Sequence, residues 1–193
     1  MLKRCFLVFL GIVFFYSCNP IDKHASNIAL AKAYYDALDN SDIPKLSTML
    51  TDSLVTKETE FNYKQTFTKS EYLQWMQWDS VFNPTYKIIA LDTLANGVEV
   101  KVSKIDSRIS FLHKEPIITT NIIHIKNKKI VAVETTGYEV FNDSTFVKNR
   151  DELVNWTNEN HPELEGFLYE QTKEGGLKYK KAIDFFTSKS LSE

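Results

Sequence analysis

Cysteine is almost missing from this 193-residue chain: there are two, Cys5 and Cys18, and both fall within the first eighteen residues. Everything after them is without a disulfide, a thiolate metal site or a thiol nucleophile. Histidine is sparse too. The four, at 24, 113, 124 and 161, show neither His-x-His nor His-x-x-x-His spacing, so no metal centre is expected. Six glycines and five prolines are few, and no internal repeat or low-complexity tract occurs. No glycine-rich phosphate loop is present, since no strand precedes Gly175-Gly176, and no serine stands in a Gly-x-Ser-x-Gly setting. Neither sign of charge dominates: 23 Lys and Arg face 25 Asp and Glu. That balance gives no reason to expect nucleic acid or a strongly acidic substrate. No cofactor is expected.

What is present starts at the amino terminus. Lys3 and Arg4 precede an apolar run from Cys5 to Tyr16, which Ser17-Cys18 ends. Its twelve residues are fewer than the roughly 18–20 that cross a bilayer as a helix, and suit the core of a cleaved signal. Phe15-Tyr16-Ser17-Cys18 resembles the lipobox of bacterial lipoproteins, although Phe15 and Tyr16 are bulkier than usual there. The resemblance implies lipidation of the Cys18 thiol, cleavage before it and acylation of the new amine. Residues 1–17 are then the signal, and 18–25 the lipidated Cys and a tether. Two or more acyl chains anchor stably, so the expected partner is a membrane and the expected place the bacterial cell envelope, periplasm-facing or at the cell surface.

Beyond the tether, Ile28, Ala31, Tyr35 and Leu38 recur at helical spacing, widened by Leu30, Tyr34 and Ala37. Asp42 can cap a second short helix with Pro44 in its first turn. Residues 53–63 read as a strand. Thr68-Lys69-Ser70-Glu71 is a capping box ahead of a helix carrying Tyr72, Leu73, Trp75, Met76 and Trp78, stopped by Asn83-Pro84. Four strands follow, at about 85–92, 97–106, 116–126 and 129–138, with tight reversals at Asn96-Gly97 and Asn127-Lys128. Val98, Val100 and Val102 alternate with Glu99 and Lys101, giving that strand one wet face. His113 and Glu115 flank a hairpin tip and read as solvated. Residues 151–158, 162–172 and 177–188 read as helices, punctuated by Pro162 and Gly175-Gly176. The order implies an α+β domain: a curved antiparallel sheet wrapped around N-terminal helices, with a C-terminal helical extension.

Two segments resemble the nuclear transport factor 2-like (SnoaL-like) superfamily. One is Ala29-Leu30-Ala31-Lys32-Ala33-Tyr34-Tyr35-Asp36-Ala37-Leu38-Asp39-Asn40-Ser41-Asp42, which is similar to the family's first helix and the turn after it. The other is Ile123-His124-Ile125-Lys126-Asn127-Lys128-Lys129-Ile130-Val131-Ala132-Val133-Glu134, similar to its last hairpin, with Lys128 where Gly is common. The resemblance spans about residues 26–139 and leaves 140–193 as the extension. It implies a cone-shaped fold whose members bind small apolar molecules, catalyse isomerisation, cyclisation or dehydration, or serve as binding or dimerisation modules.

That fold places a pocket between the first and third helices and the concave sheet face, which brings Tyr34, Tyr63, Trp75 and Asn121 into consideration. Tyr and Trp join an apolar body to a polar tip, as a ligand cavity needs, and they pack ordinary cores equally well. Asn121 shares a strand face with Ile117, Ile123 and Ile125 and needs a hydrogen-bonding partner there: a ligand, a water or the backbone. His124, on the opposite face, could act as a general base, and Glu134 could supply the carboxylate of an acid–base pair. Lys126, Lys128 and Lys129 make a small basic hairpin end, most simply a solvated turn. The leading expectation is an extracytoplasmic, membrane-anchored binding or accessory domain for a small apolar ligand or a partner protein, without chemistry. An isomerase, cyclase or dehydratase is the alternative, with His124 or Glu134 inside the cone. A homodimer paired through convex sheet faces is a further one.

Overall fold

A computed structural model describes residues 20–189. The signal segment and Cys18 lie outside them.

The chain opens with α1 (Pro20–Asp39) and α2 (Ile43–Met49). Among the described residues α1 runs from Pro20, so residues 20–25 of the expected tether are helical. The Asp42 side chain accepts from Lys45 N at 2.9 Å and caps α2.

A hairpin follows, of β1 (Leu50–Glu58) and β2 (Tyr63–Thr68). The single strand expected over 53–63 is therefore the end of one strand, a turn and the start of another. Asn62 makes the break, with φ 49° and its N–H donated to Thr59 O at 3.2 Å. The capping box opens α3 (Lys69–Ser80): Glu71 N donates to the Thr68 hydroxyl, and Thr68 N to the Glu71 carboxylate.

The strands β3 (Thr85–Leu94), β4 (Gly97–Ile105), β5 (Ile117–Lys126) and β6 (Lys129–Val140) follow, with α4 (Ser107–Leu112) between β4 and β5. That helix replaces the expected hairpin tip. Asp106 caps it by accepting from Ile109 N at 2.6 Å. His113, expected to be solvated, is 3% exposed. Its Nε2 accepts from Asn142 N at 2.7 Å, so Nδ1 carries the proton and donates to Glu115 O at 2.8 Å. At the last hairpin Asn127 and Lys128 both have positive φ (51° and 60°), the primed turn that suits strand twist.

The six strands form one sheet in the order β2-β1-β6-β5-β4-β3, antiparallel except where β1 runs parallel to β6. Register shifts in the β1/β6, β3/β4 and β5/β6 pairs bend it. Its concave face, with Val98, Val100, Ile123 and Ile130 fully buried, closes over α1 and α3 through Ala31, Tyr34, Leu38, Tyr72 and Met76.

A second core lies on the far side of α3. The last helices, α5 (Asp143–Asn160) and α6 (Lys173–Lys189), join α4 in enclosing Trp78, Phe82, Leu153, Phe167, Tyr179 and Ala182. The helix expected over 162–172 is only a 3₁₀ turn at Pro162–Leu164, because Gly166 (φ 80°) redirects the chain. Gly175 and Gly176 do not separate helices; they sit in the first turn of α6. They allow close approach: a Cβ on Gly175 would lie 1.8 Å from Glu170 O, and one on Gly176 3.0 Å from Trp78 O. Among the described residues no helix is long and apolar enough to cross a membrane.

Candidate functional site

The first core is not filled. Between α1, α3 and the concave face lies a cavity of about 670 Å³, within the range that takes up small organic molecules. Residues near one end of the strands line it: Tyr86 of β3, Val102 and Lys104 of β4, Ile117, Thr119 and Asn121 of β5, Val133, Thr135 and Tyr138 of β6. From the helices come Tyr34, Tyr35, Tyr72, Trp75 and Arg108.

Tyr34, Tyr63, Trp75 and Asn121, singled out from sequence, all border this cavity. Tyr34 is 3% exposed, and its hydroxyl shares a hydrogen bond with that of Tyr72 across α1 and α3. Trp75 stacks flat on Phe67 at 5.7 Å and meets Tyr72 edge-on. Tyr63 stands at the mouth beside Phe61, each about half exposed, and its hydroxyl donates to Gln65. The Asn121 amide is already matched: Nδ2 donates to the Thr119 hydroxyl at 2.9 Å and Oδ1 accepts from Thr135 at 2.8 Å. Side-chain hydroxyls thus fill the partner role left open from sequence.

His124 and Glu134 are not in the cavity. They meet on the convex face, Nε2 to Oε2 at 2.9 Å, with Lys57 and Thr59 also on the Glu134 carboxylate. The hydrogen bond from His124 holds Glu134 below the usual carboxylate range, against partial burial and with help from Lys57 and Thr59. The β5/β6 register shifts explain why strict alternation did not reveal the inward face: Ile130, Val133, Thr135 and Tyr138 point inward at intervals of three, two and three.

Sequence reasoning missed the inner end. Asp79, 5% exposed, receives Lys104 Nζ at 2.5 Å on one oxygen and the Tyr86 hydroxyl at 3.0 Å on the other. Burial alone would raise its pKa, but Lys104 and Arg108 outweigh that and hold the carboxylate below its ordinary range. Arg108 Nη2 lies 3.6 Å from Asp106, and its guanidinium carbon lies 4.9 Å from the centre of the Trp78 ring. Burial pushes the Tyr34, Tyr72 and Tyr86 hydroxyls above the ordinary tyrosine value, so they remain protonated donors at neutral pH. One local signal was available for Arg108: Asp106-Ser107 is an N-cap pattern, which would have placed Arg108 in a short helix. Among the described residues one carboxylate borders the cavity, that of Glu58, and it accepts from the Tyr138 hydroxyl at 2.8 Å. No group of three or more His, Cys, Asp and Glu is arranged to hold a metal among the described residues.

No family model matches the sequence, and no curated protein does. Solved structures do match. A candidate ketosteroid isomerase from Kribbella flavida superposes with a TM-score of 0.51 at 16% identity, over 62% of this chain and 83% of its own. A second Kribbella flavida protein gives 0.53 at 10% identity, over 66% and 96%. A Methylobium petroleophilum protein of unknown function, described as having a cystatin-like fold, gives 0.50 at 13%, over 62% and 79%. The fold is the nuclear transport factor 2-like cone. At these identities the likeness concerns architecture, and function has to be argued from the site.

Proposed function

We propose that this protein is a lipid-anchored, extracytoplasmic binding protein that retains a small, mostly apolar molecule inside the cone, without chemistry. The observation that carries this reading is the cavity: aromatic walls, hydroxyls with Lys104 and Arg108 at its inner end, and, among the described residues, no histidine and a single carboxylate, Glu58, in its lining. A general base needs a free lone pair aimed at substrate. Asp79 has both oxygens engaged, Glu58 at the cavity wall accepts from the Tyr138 hydroxyl on one oxygen, and His124 and Glu134 are outside.

The anchor rests on the amino-terminal sequence, and the placement of α1 suits it. Lys23, near the start of α1, donates to Ala95 O in the β3–β4 turn at 3.1 Å. Ile125 N donates to Asn96 O at 3.0 Å, so the β5–β6 turn with Lys126, Lys128 and Lys129 lies at the same end. Cys18 precedes Pro20 by two residues. An acylated Cys18 would then hold that end to the bilayer, with the cavity at the other end of the strands.

The test uses Nile red, a neutral apolar dye that brightens on burial, and the chain from Asn19 to Glu193, which contains both cores. The wild type should take up one equivalent. Replacing Tyr34 and Trp75 together with Ala should abolish uptake, with the circular dichroism of the fold retained. Unchanged uptake would show that the dye, and the function, lie elsewhere.

A further inference from the structure

We propose that the molecule held in the cone is an organic anion, an apolar body ending in a carboxylate that sits against Arg108 and Lys104. This rests on the binding reading above and specifies its ligand class.

The first observation is what Arg108 lacks. A guanidinium has five N–H donors in a rigid fork, and a buried one is ordinarily hydrogen-bonded to acceptors. The Arg108 guanidinium makes no hydrogen bond to any described residue. It has two long ion pairs, Nη2 at 3.6 Å from Asp106 and 4.0 Å from Asp79, and its buried Nε has no partner. Its side chain is 18% exposed, and it borders the cavity.

The second observation is the order of the charges. Lys104 and Arg108 line the cavity, whereas Asp79 and Asp106, 5% and 4% exposed, do not. The cations face the empty space and the carboxylates lie behind them. Asp79 accepts from Lys104 at 2.5 Å, and Asp106 lies 3.6 Å from Arg108, so both cationic heads stay at this end of the cavity. The surface offered to a ligand is nevertheless a lysine and a guanidinium fork, with the Tyr86 hydroxyl beside them. Planar, bidentate recognition is what a guanidinium supplies to a carboxylate. A neutral apolar ligand would leave the Arg108 donors unmatched; a carboxylate would match them.

Displacement of Nile red from the Asn19–Glu193 chain tests this with two probes of equal length, dodecanoate and dodecanol. Dodecanoate should displace the dye at a concentration at least about tenfold lower, as charge-assisted hydrogen bonds require. Arg108→Gln should remove most of that preference, read as the ratio of the two displacing concentrations in the same variant. Arg108→Lys, which keeps the charge without the fork, should fall between. Should Arg108→Gln not fold, the wild-type comparison still decides. Equal displacement by acid and alcohol overturns this inference while the binding reading stands. A preference for dodecanoate that survives Arg108→Gln overturns the role of Arg108. Failure of the chain to bind dye or either probe overturns the binding reading and this inference together.

Discussion

The two cores on either side of α3 are built for different ends. Toward the sheet, Tyr72 and Met76 join α1 and the concave face around about 670 Å³ of open space. On the other side, Trp78 and Phe82 meet Tyr179, Phe167 and Leu153 at close range, with ring centroids 5.1 Å apart for Trp78–Phe82 and 4.8 Å for Phe167–Tyr179. There two glycines let α6 sit almost against backbone oxygens. Four charges, from Asp79, Lys104, Asp106 and Arg108, lie at the seam. The hollow core thus backs onto a tightly packed one across α3. A cone that keeps a cavity forgoes dispersion contacts, and the C-terminal helices provide compensating burial on the other face of the same helix.

The seam is where that division breaks most severely. Asp79→Asn leaves Lys104 and Arg108 short of a buried counter-charge and should destabilise the fold by about 3–5 kcal/mol at neutral pH, read by urea denaturation. The pH dependence has a definite sign. The folded-state pKa of Asp79 lies below its ordinary value, so its stabilisation is complete above about pH 4 and is lost as pH falls through the lower folded value. The gap between wild type and Asp79→Asn should therefore shrink in acid; a gap that is constant or widens would contradict the charge network.

Next come the packed core and the cavity wall, compared directly. Phe167→Ala should cost about 3–5 kcal/mol. Gly175→Ala, which drives a methyl into the Glu170 carbonyl, should cost about 1–3 kcal/mol. Trp75→Ala should cost no more than about 2 kcal/mol, because one side of that ring already faces open space, and its main effect should be on dye uptake. Equal costs for Phe167→Ala and Trp75→Ala in thermal or urea melts would erase the distinction between the two cores.

The convex face should matter least. Glu134→Gln removes a partly exposed ion pair with Lys57 and alters the hydrogen bond with His124, together worth about 0–1 kcal/mol, and should leave Nile red uptake unchanged. A loss of uptake would mean that the His124–Glu134 pair reaches the cavity after all. Cys18→Ser tests the anchor independently: the protein should move from the membrane fraction to the soluble fraction of the cell envelope, and a variant still in the membrane fraction would contradict lipidation.

Much of this was legible in the sequence where the signal is local. The Asp42 cap, the Thr68–Glu71 capping box, the Val98–Val100–Val102 alternation and the helix over Tyr34 and Tyr35 depend on neighbours within a few residues, and each formed as its pattern implies. Tyr34, Tyr63, Trp75 and Asn121 come into view through the family resemblance, which implies a pocket between the first and third helices and the concave sheet face. The rest depends on contacts distant in sequence. The shifted register of β6 hid which way Glu134 points. The Gly175-Gly176 pair reads as a break until the Trp78 carbonyl beneath it is seen. Asp79, Lys104 and Arg108 belong to three elements, and only folding shows that they form one network. His113 reads as solvated because it flanks an expected hairpin tip, yet Phe141 stacks on its ring and Asn142 N donates to it.

The central claim is that the hollow core holds a molecule, and native mass spectrometry of the Asn19–Glu193 chain, exported to a periplasm and purified without detergent, tests it most directly. The expected result is a population carrying one extra small mass per chain, released on gentle activation and absent from the Tyr34→Ala, Trp75→Ala double variant. A bare chain mass, from protein that also fails to take up Nile red, would contradict it.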